Sequence, residues 1–103
     1  MGYPGRHDWL TGEIVELCTA IRSMNKPAEL YAFLRDLCTL SELEAMAHRW
    51  QVARLVDAGL PYTEIAQLTG ASTATVTRVA HWLHHGEGGY RLALDRAKRA
   101  TSA

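Results

Sequence analysis

The chain has 103 residues, 48% of them apolar and 8% aromatic, and its 11 Lys and Arg are balanced by 11 Asp and Glu. That length predicts a single domain, 1–103, with a modest core, and no apolar run approaches the roughly 20 residues of a membrane span. Zero net charge excludes a uniformly basic surface, so affinity for an anionic partner has to rest on a local field. The charge is uneven: residues 1–58 carry six Lys and Arg against eight Asp and Glu, and residues 59–103 carry five against three, with His81, His84 and His85 beside them. Arg6, Asp8 and Glu13 interrupt the N-terminus before a signal-peptide core can form, and Cys18 and Cys38 have no CxxC partner. Both features predict a cytoplasmic protein with buried, reduced thiols; a disulfide is the alternative.

Along the chain, Ile14, Leu17, Cys18 and Ile21 fall at helical spacing behind Thr11, a good N-cap, and predict a first helix from about Thr11 to Met24. Asn25 and Lys26 break it. Pro27 suits the first turn of a second helix, whose stripe is Leu30, Phe33, Leu34 and Leu37, with Cys38 near its end. Ser41 and Glu44 read as a capping box that starts a long third helix ending at about Ala58, with Gly59 beyond it. Met46, Ala47, Trp50, Ala53 and Leu55 or Val56 are its expected core side. Pro61 opens a short fourth helix with Ile65, Ala66 and Leu68 apolar. The turn Gly70-Ala71-Ser72 follows, and then a fifth helix with Val76, Val79, Ala80 and Leu83 at i, i+3, i+4 and i+7. A flexible Gly86-Glu87-Gly88-Gly89 break precedes a last helix over 90–99, and a disordered tail is expected over 100–103. The prediction is an all-α chain of about six helices: 11–58 for core and dimerisation, 61–85 a helix-turn-helix, and 90–99 a C-terminal helix.

The fifth helix carries the functional signal. Opposite its apolar stripe lie Thr73, Ala74, Thr77, Arg78 and His81, which are small or hydrogen-bonding groups suited to a DNA major groove. A merely solvated face usually carries Glu and Lys, yet no acid occurs from Gln67 through Gly86. Ser72 is a cap whose amide can also face phosphate, and Thr63 and Gln67 on the preceding helix are candidate backbone contacts. The first two helices each offer an apolar stripe that the short helix-turn-helix pair cannot cover in one subunit. A second copy can, which predicts a homodimer on double-stranded DNA. A protein–protein adaptor that kept the fold is the alternative, on the strength of the zero net charge.

The strings LYAFLRDLCTLSELEAMAHRW, GLPYTEIAQLTGASTATVTRV and HHGEGGYRLAL resemble the Trp repressor family, and within it the YerC/YecD branch. The resemblance covers about Lys26 to Leu94. It implies an intertwined all-α dimer, operator binding and transcriptional control, usually repression, and family context adds amino-acid biosynthesis genes as targets. It also implies that Arg49 and Arg78 match the two arginines that cradle the ligand in tryptophan-sensing members. Small residues follow the second arginine in those members. Here Val79 follows Arg78 directly and Trp82 lies four residues beyond it, and both take volume that an indole ligand needs. The pair can instead hold the carboxylate of another small-molecule effector, or Arg49 can pair with an acid while Arg78 meets DNA phosphate.

His81 and His85 have the i, i+4 spacing of zinc ligands, but Glu87 is the only local acid and both cysteines are distant, so no metal site or cofactor is expected. Trp50 and Trp82 read as core or dimer packing. With no nucleophile–base–acid cluster and no phosphate-binding glycine loop, no catalytic residue is assigned and an enzyme is not expected.

Overall fold

The computed structural model describes residues 8–102, with side chains described through residue 100; Arg6, read as interrupting any signal-peptide core, and Ala103 of the expected tail lie outside them. Six helices occur among the described residues: α1 (Gly12–Arg22), α2 (Pro27–Leu37), α3 (Leu40–Asp57), α4 (Tyr62–Thr69), α5 (Thr73–His85) and α6 (Gly89–Ser102). The fold is all-α. None of these helices is long and apolar enough to cross a membrane. The chain divides into two compact units, Met1–Leu43 and Glu44–Ala103.

In the first unit Thr11 caps α1 as expected, its Oγ1 accepting from the Ile14 amide at 3.3 Å. The helix stops at Arg22, short of Met24, because the Ser23 hydroxyl turns back to donate to the Ala20 carbonyl at 2.7 Å. Pro27 occupies the first turn of α2, and the Glu29 carboxylate accepts from the amides of Asn25 at 2.9 Å and Lys26 at 3.3 Å. Neither α1 nor α2 has a buried residue within the chain. The expectation of two buried thiols is therefore corrected: Cys18 is exposed, Cys38 is partly buried, and both are free.

The start of α3 differs from the sequence reading by two residues. The box is formed by Thr39 and Glu42, with the Thr39 amide donating to the Glu42 carboxylate at 2.7 Å and the Glu42 amide to Thr39 Oγ1 at 3.1 Å. Thr39-x-x-Glu42 and Ser41-x-x-Glu44 carry the same pattern in overlapping frames. The earlier one wins by starting the helix at Leu40 and adding half a turn of backbone bonds.

The core of the second unit gathers Val52 and Ala53 of α3, Ile65 of α4, and Val76 and Val79 of α5, with Leu55, Val56, Leu60, Ala66, Ala71 and Tyr90 packed against it. Ala80 and Leu83 of α5 and Leu94 of α6 are also buried. Trp50 stacks on Tyr90 with ring centroids 6.5 Å apart and planes 15° from parallel. Two residues assigned to apolar stripes face outward instead, Leu68 and Met46, and Trp82, read as core or dimer packing, is exposed within the chain. Periodicity marks what a helix is able to bury, but only the arc turned toward a neighbouring helix is covered. At the end of α3, Asp57 accepts from Arg91 at 2.8 Å and pairs with Lys98 at 2.7 Å, tying two points of α6 that lie two turns apart to one carboxylate. Arg91 also reaches Asp95 at 2.9 Å. With this support and no breaker in its sequence, α6 runs on to Ser102, so the tail read as disordered from Ala100 is helical at Ala100, Thr101 and Ser102.

Candidate nucleic-acid interface

The link from α4 to α5 is three residues long, and each has a physical task. Gly70 adopts the left-handed conformation at φ 77° and its amide returns to the Ala66 carbonyl at 2.9 Å, closing α4. Thr69 holds the turn from inside, its hydroxyl donating to the Ile65 carbonyl at 2.7 Å and accepting from the Ala71 amide at 3.2 Å. Ser72 is extended and caps α5, with Oγ accepting from the Thr75 amide at 3.1 Å. The opening amides of a helix have no intrahelical partner, and here they belong to Thr73 and Ala74, at a positive helix end with no acid in its first turn.

The buried and exposed faces of α5 separate cleanly. Val76, Val79, Ala80 and Leu83 are buried, whereas Thr73, Ala74, Thr77, Arg78 and His81 are all exposed. Ser72 is exposed beside them, as are Thr63 and Gln67 of α4, which lie one helical turn apart. Every residue assigned from sequence to the DNA-facing set is thus solvent-accessible. Thr77 donates its hydroxyl to the Thr73 carbonyl at 2.9 Å. In that rotamer it offers a methyl group and acceptor lone pairs outward, which suit a thymine methyl and the exocyclic amines of adenine or cytosine.

Beside the turn lies a cavity of about 510 Å³, walled by Ala45, His48, Arg49 and Val52 of α3, the 70–72 turn, and Thr75, Arg78, Val79 and Trp82 of α5. The two arginines paired by resemblance therefore meet in one cavity, and neither has an ion-pair partner among the described residues. That removes the alternative in which Arg49 is neutralised by an acid of the described chain. Val79 is fully buried, while Trp82 is 48% exposed and stands at the wall. Together they shape the space without abolishing it. Sequence reasoning missed His48 and Thr75 in this wall; His48 adjoins Arg49, and Thr75 is one turn before Arg78. A second cavity, about 470 Å³, lies between α3 and α6 along Trp50, Arg54, Asp57, Leu94 and Lys98.

Among the described residues no cluster of three or more His, Cys, Asp or Glu could hold a metal ion. The His81 and His85 rings nevertheless sit with centroids 5.1 Å apart, and His84 meets His85 edge-on at 6.4 Å.

A short helix capped by Ser72, backed by a core stripe and fronted by an acid-free hydrogen-bonding face, defines a helix-turn-helix protein. The chain belongs to the Trp repressor protein family, whose model matches residues 13–98; at family level it is a DNA-binding regulator. It is 43% identical over 90 residues to the uncharacterised protein YerC of Bacillus subtilis (strain 168), covering 87% of this chain and 86% of that one. The crystal structure of a TrpR-like protein from Eubacterium eligens superposes with a TM-score of 0.83 at 35% identity, covering 89% of this chain and 96% of that chain. A candidate Trp repressor from Staphylococcus aureus gives a TM-score of 0.79 at 40% identity, covering 87% and 91%.

Proposed function

We propose that this protein is a sequence-specific transcriptional regulator, a repressor, that binds an inverted-repeat operator as a homodimer. In this reading α5 enters the major groove, Thr73, Ala74, Thr77, Arg78 and His81 meet base edges or phosphates, and Ser72, Thr63 and Gln67 hold the backbone. The observation that carries it is the two-faced α5, apolar and sealed on one side, acid-free and exposed on the other. The dimer is supported by α1 and α2, which carry apolar stripes yet bury nothing within the chain; Tyr31 and Leu37 are exposed. A single subunit with zero net charge neutralises few phosphates, so pairing two reading helices supplies the affinity one lacks. Amino-acid biosynthesis genes are the proposed targets, on family context, in a cytoplasmic setting.

The cavity holding Arg49 and Arg78 is the proposed effector site, with two guanidinium groups that have no ion-pair partner among the described residues and are suited to a carboxylate. Tryptophan is not the proposed effector, because Val79 and the Trp82 indole narrow the space beside Arg78.

Fluorescence anisotropy with genomic fragments carrying an inverted repeat, half-sites about one duplex turn apart, tests the reading. Binding is expected, and Thr77→Asp should abolish it while the helix content measured by circular dichroism stays unchanged. A wild-type protein that ignores DNA even at low salt overturns the proposal; co-purification with a protein at fixed stoichiometry would then favour the adaptor.

A further inference from the structure

The C-terminal half of α5 carries a pair of histidines of which DNA reading uses only His81. His81 and His85 are four residues apart, so a helix of about 3.6 residues per turn sets them one above the other on a single face, about 6 Å apart along the axis. Their rings lie 5.1 Å apart with planes tilted by 40°, and both side chains are exposed. Neither imidazole has a hydrogen-bond or ion-pair partner among the described residues. Such a pair of neutral imidazoles converges on one ion with metal–nitrogen bonds of about 2.0–2.1 Å after small side-chain rotations. A closed structural site needs a third or fourth protein ligand, and none is present among the described residues. A two-ligand chelate has no such need, since water completes the coordination and the ion remains exchangeable.

We propose that His81 and His85 form an exchangeable chelating site for a late first-row divalent ion, Zn2+, Ni2+ or Cu2+, on the outward face of α5. Imidazole donors without carboxylate select these ions over Mg2+ and Ca2+. His84, edge-on to His85 at 6.4 Å, is not one of the ligands. Occupancy has a consequence that rests on the DNA reading above. His81 follows Thr77 and Arg78 by one turn on the same exposed face, so a bound dication adds charge where an electroneutral chain has little to offer phosphate.

The test uses the full chain without a histidine tag and Zn2+ as the probe. Isothermal titration should give one ion per chain, with affinity falling roughly tenfold or more in His81→Ala and in His85→Ala, and unchanged in His84→Ala. Zinc should also raise the melting temperature of the wild type and of His84→Ala, but not of His85→Ala. Absence of binding at large zinc excess, or binding that survives the His81→Ala/His85→Ala double variant, overturns the site. In the second arm, zinc should raise DNA affinity in the wild type and leave His85→Ala at its metal-free value. Zinc binding that leaves DNA affinity unaltered overturns the regulatory half alone. Zinc binding in a chain that never binds DNA would instead count against the proposed function and leave the metal site standing.

Discussion

Neutralising Asp57 measures how firmly α6 is held to α3. Its carboxylate accepts from Arg91 at 2.8 Å and pairs with Lys98 at 2.7 Å. Hydrogen bonds from Arg91 first and Lys98 second, outweighing a smaller opposing effect of burial, hold it at about 2 against an ordinary 3.8. At about 1.4 kcal/mol per pH unit of displacement, that difference amounts to about 2.5 kcal/mol of stability at neutral pH. The cationic partners are 43% and 61% exposed, however, so solvent screening brings the expected loss in Asp57→Asn to about 1 kcal/mol. For a chain of this size that is a fall in melting temperature of about 4–8 °C at fixed protein concentration. The sign follows from the lowered carboxyl: the contribution is complete above pH 3.8 and is lost as pH falls toward 2. Wild-type urea midpoints should therefore decline through that window more steeply than those of Asp57→Asn. Equal midpoints at pH 7, or parallel pH profiles, would show that the clamp is solvated and contributes nothing.

Truncating the central core residue, Ile65→Ala, removes a fully buried side chain and should cost about 2–5 kcal/mol in chemical denaturation; a loss below about 1 kcal/mol would contradict the packing described. Arg78→Ala should weaken DNA binding and lower the slope of log affinity against log salt by about 0.9 for each phosphate it ceases to neutralise; an unchanged slope would move Arg78 away from the backbone. Gly70→Ala forces a side chain into the left-handed region at φ 77° and should destabilise the chain by about 1 kcal/mol, read as a lowered melting temperature. Titration calorimetry with free tryptophan should show no tight binding. A micromolar affinity would mean that Trp82 leaves room for a second indole.

Much of the architecture was legible in the residues. Thr11, Pro27, Gly70 and Ser72 act locally, through a hydroxyl, a fixed φ or a tolerated left-handed turn, and each occupies its predicted place. The stripe Val76, Val79, Ala80 and Leu83 was legible because a strong 3.6-residue period leaves one side for burial. The start of α3 was not, because two overlapping capping patterns compete and only helix length decides between them. The outward position of Leu68 was not legible because apolar character states a preference, while burial requires a neighbour on that side.

Sequence by itself therefore determined the number and order of the helices, most of their caps, the helix-turn-helix and the acid-free composition of α5, all of which are set within about one or two helical turns of each residue. Tertiary structure alone decided what distant residues do together. It brought Arg49 and Arg78 to one cavity, gave Asp57 two cations from another helix, and left Trp82 at a wall rather than in the core. Those outcomes depend on how helices pack, and packing is a property of side chains far apart in the chain that no local pattern encodes.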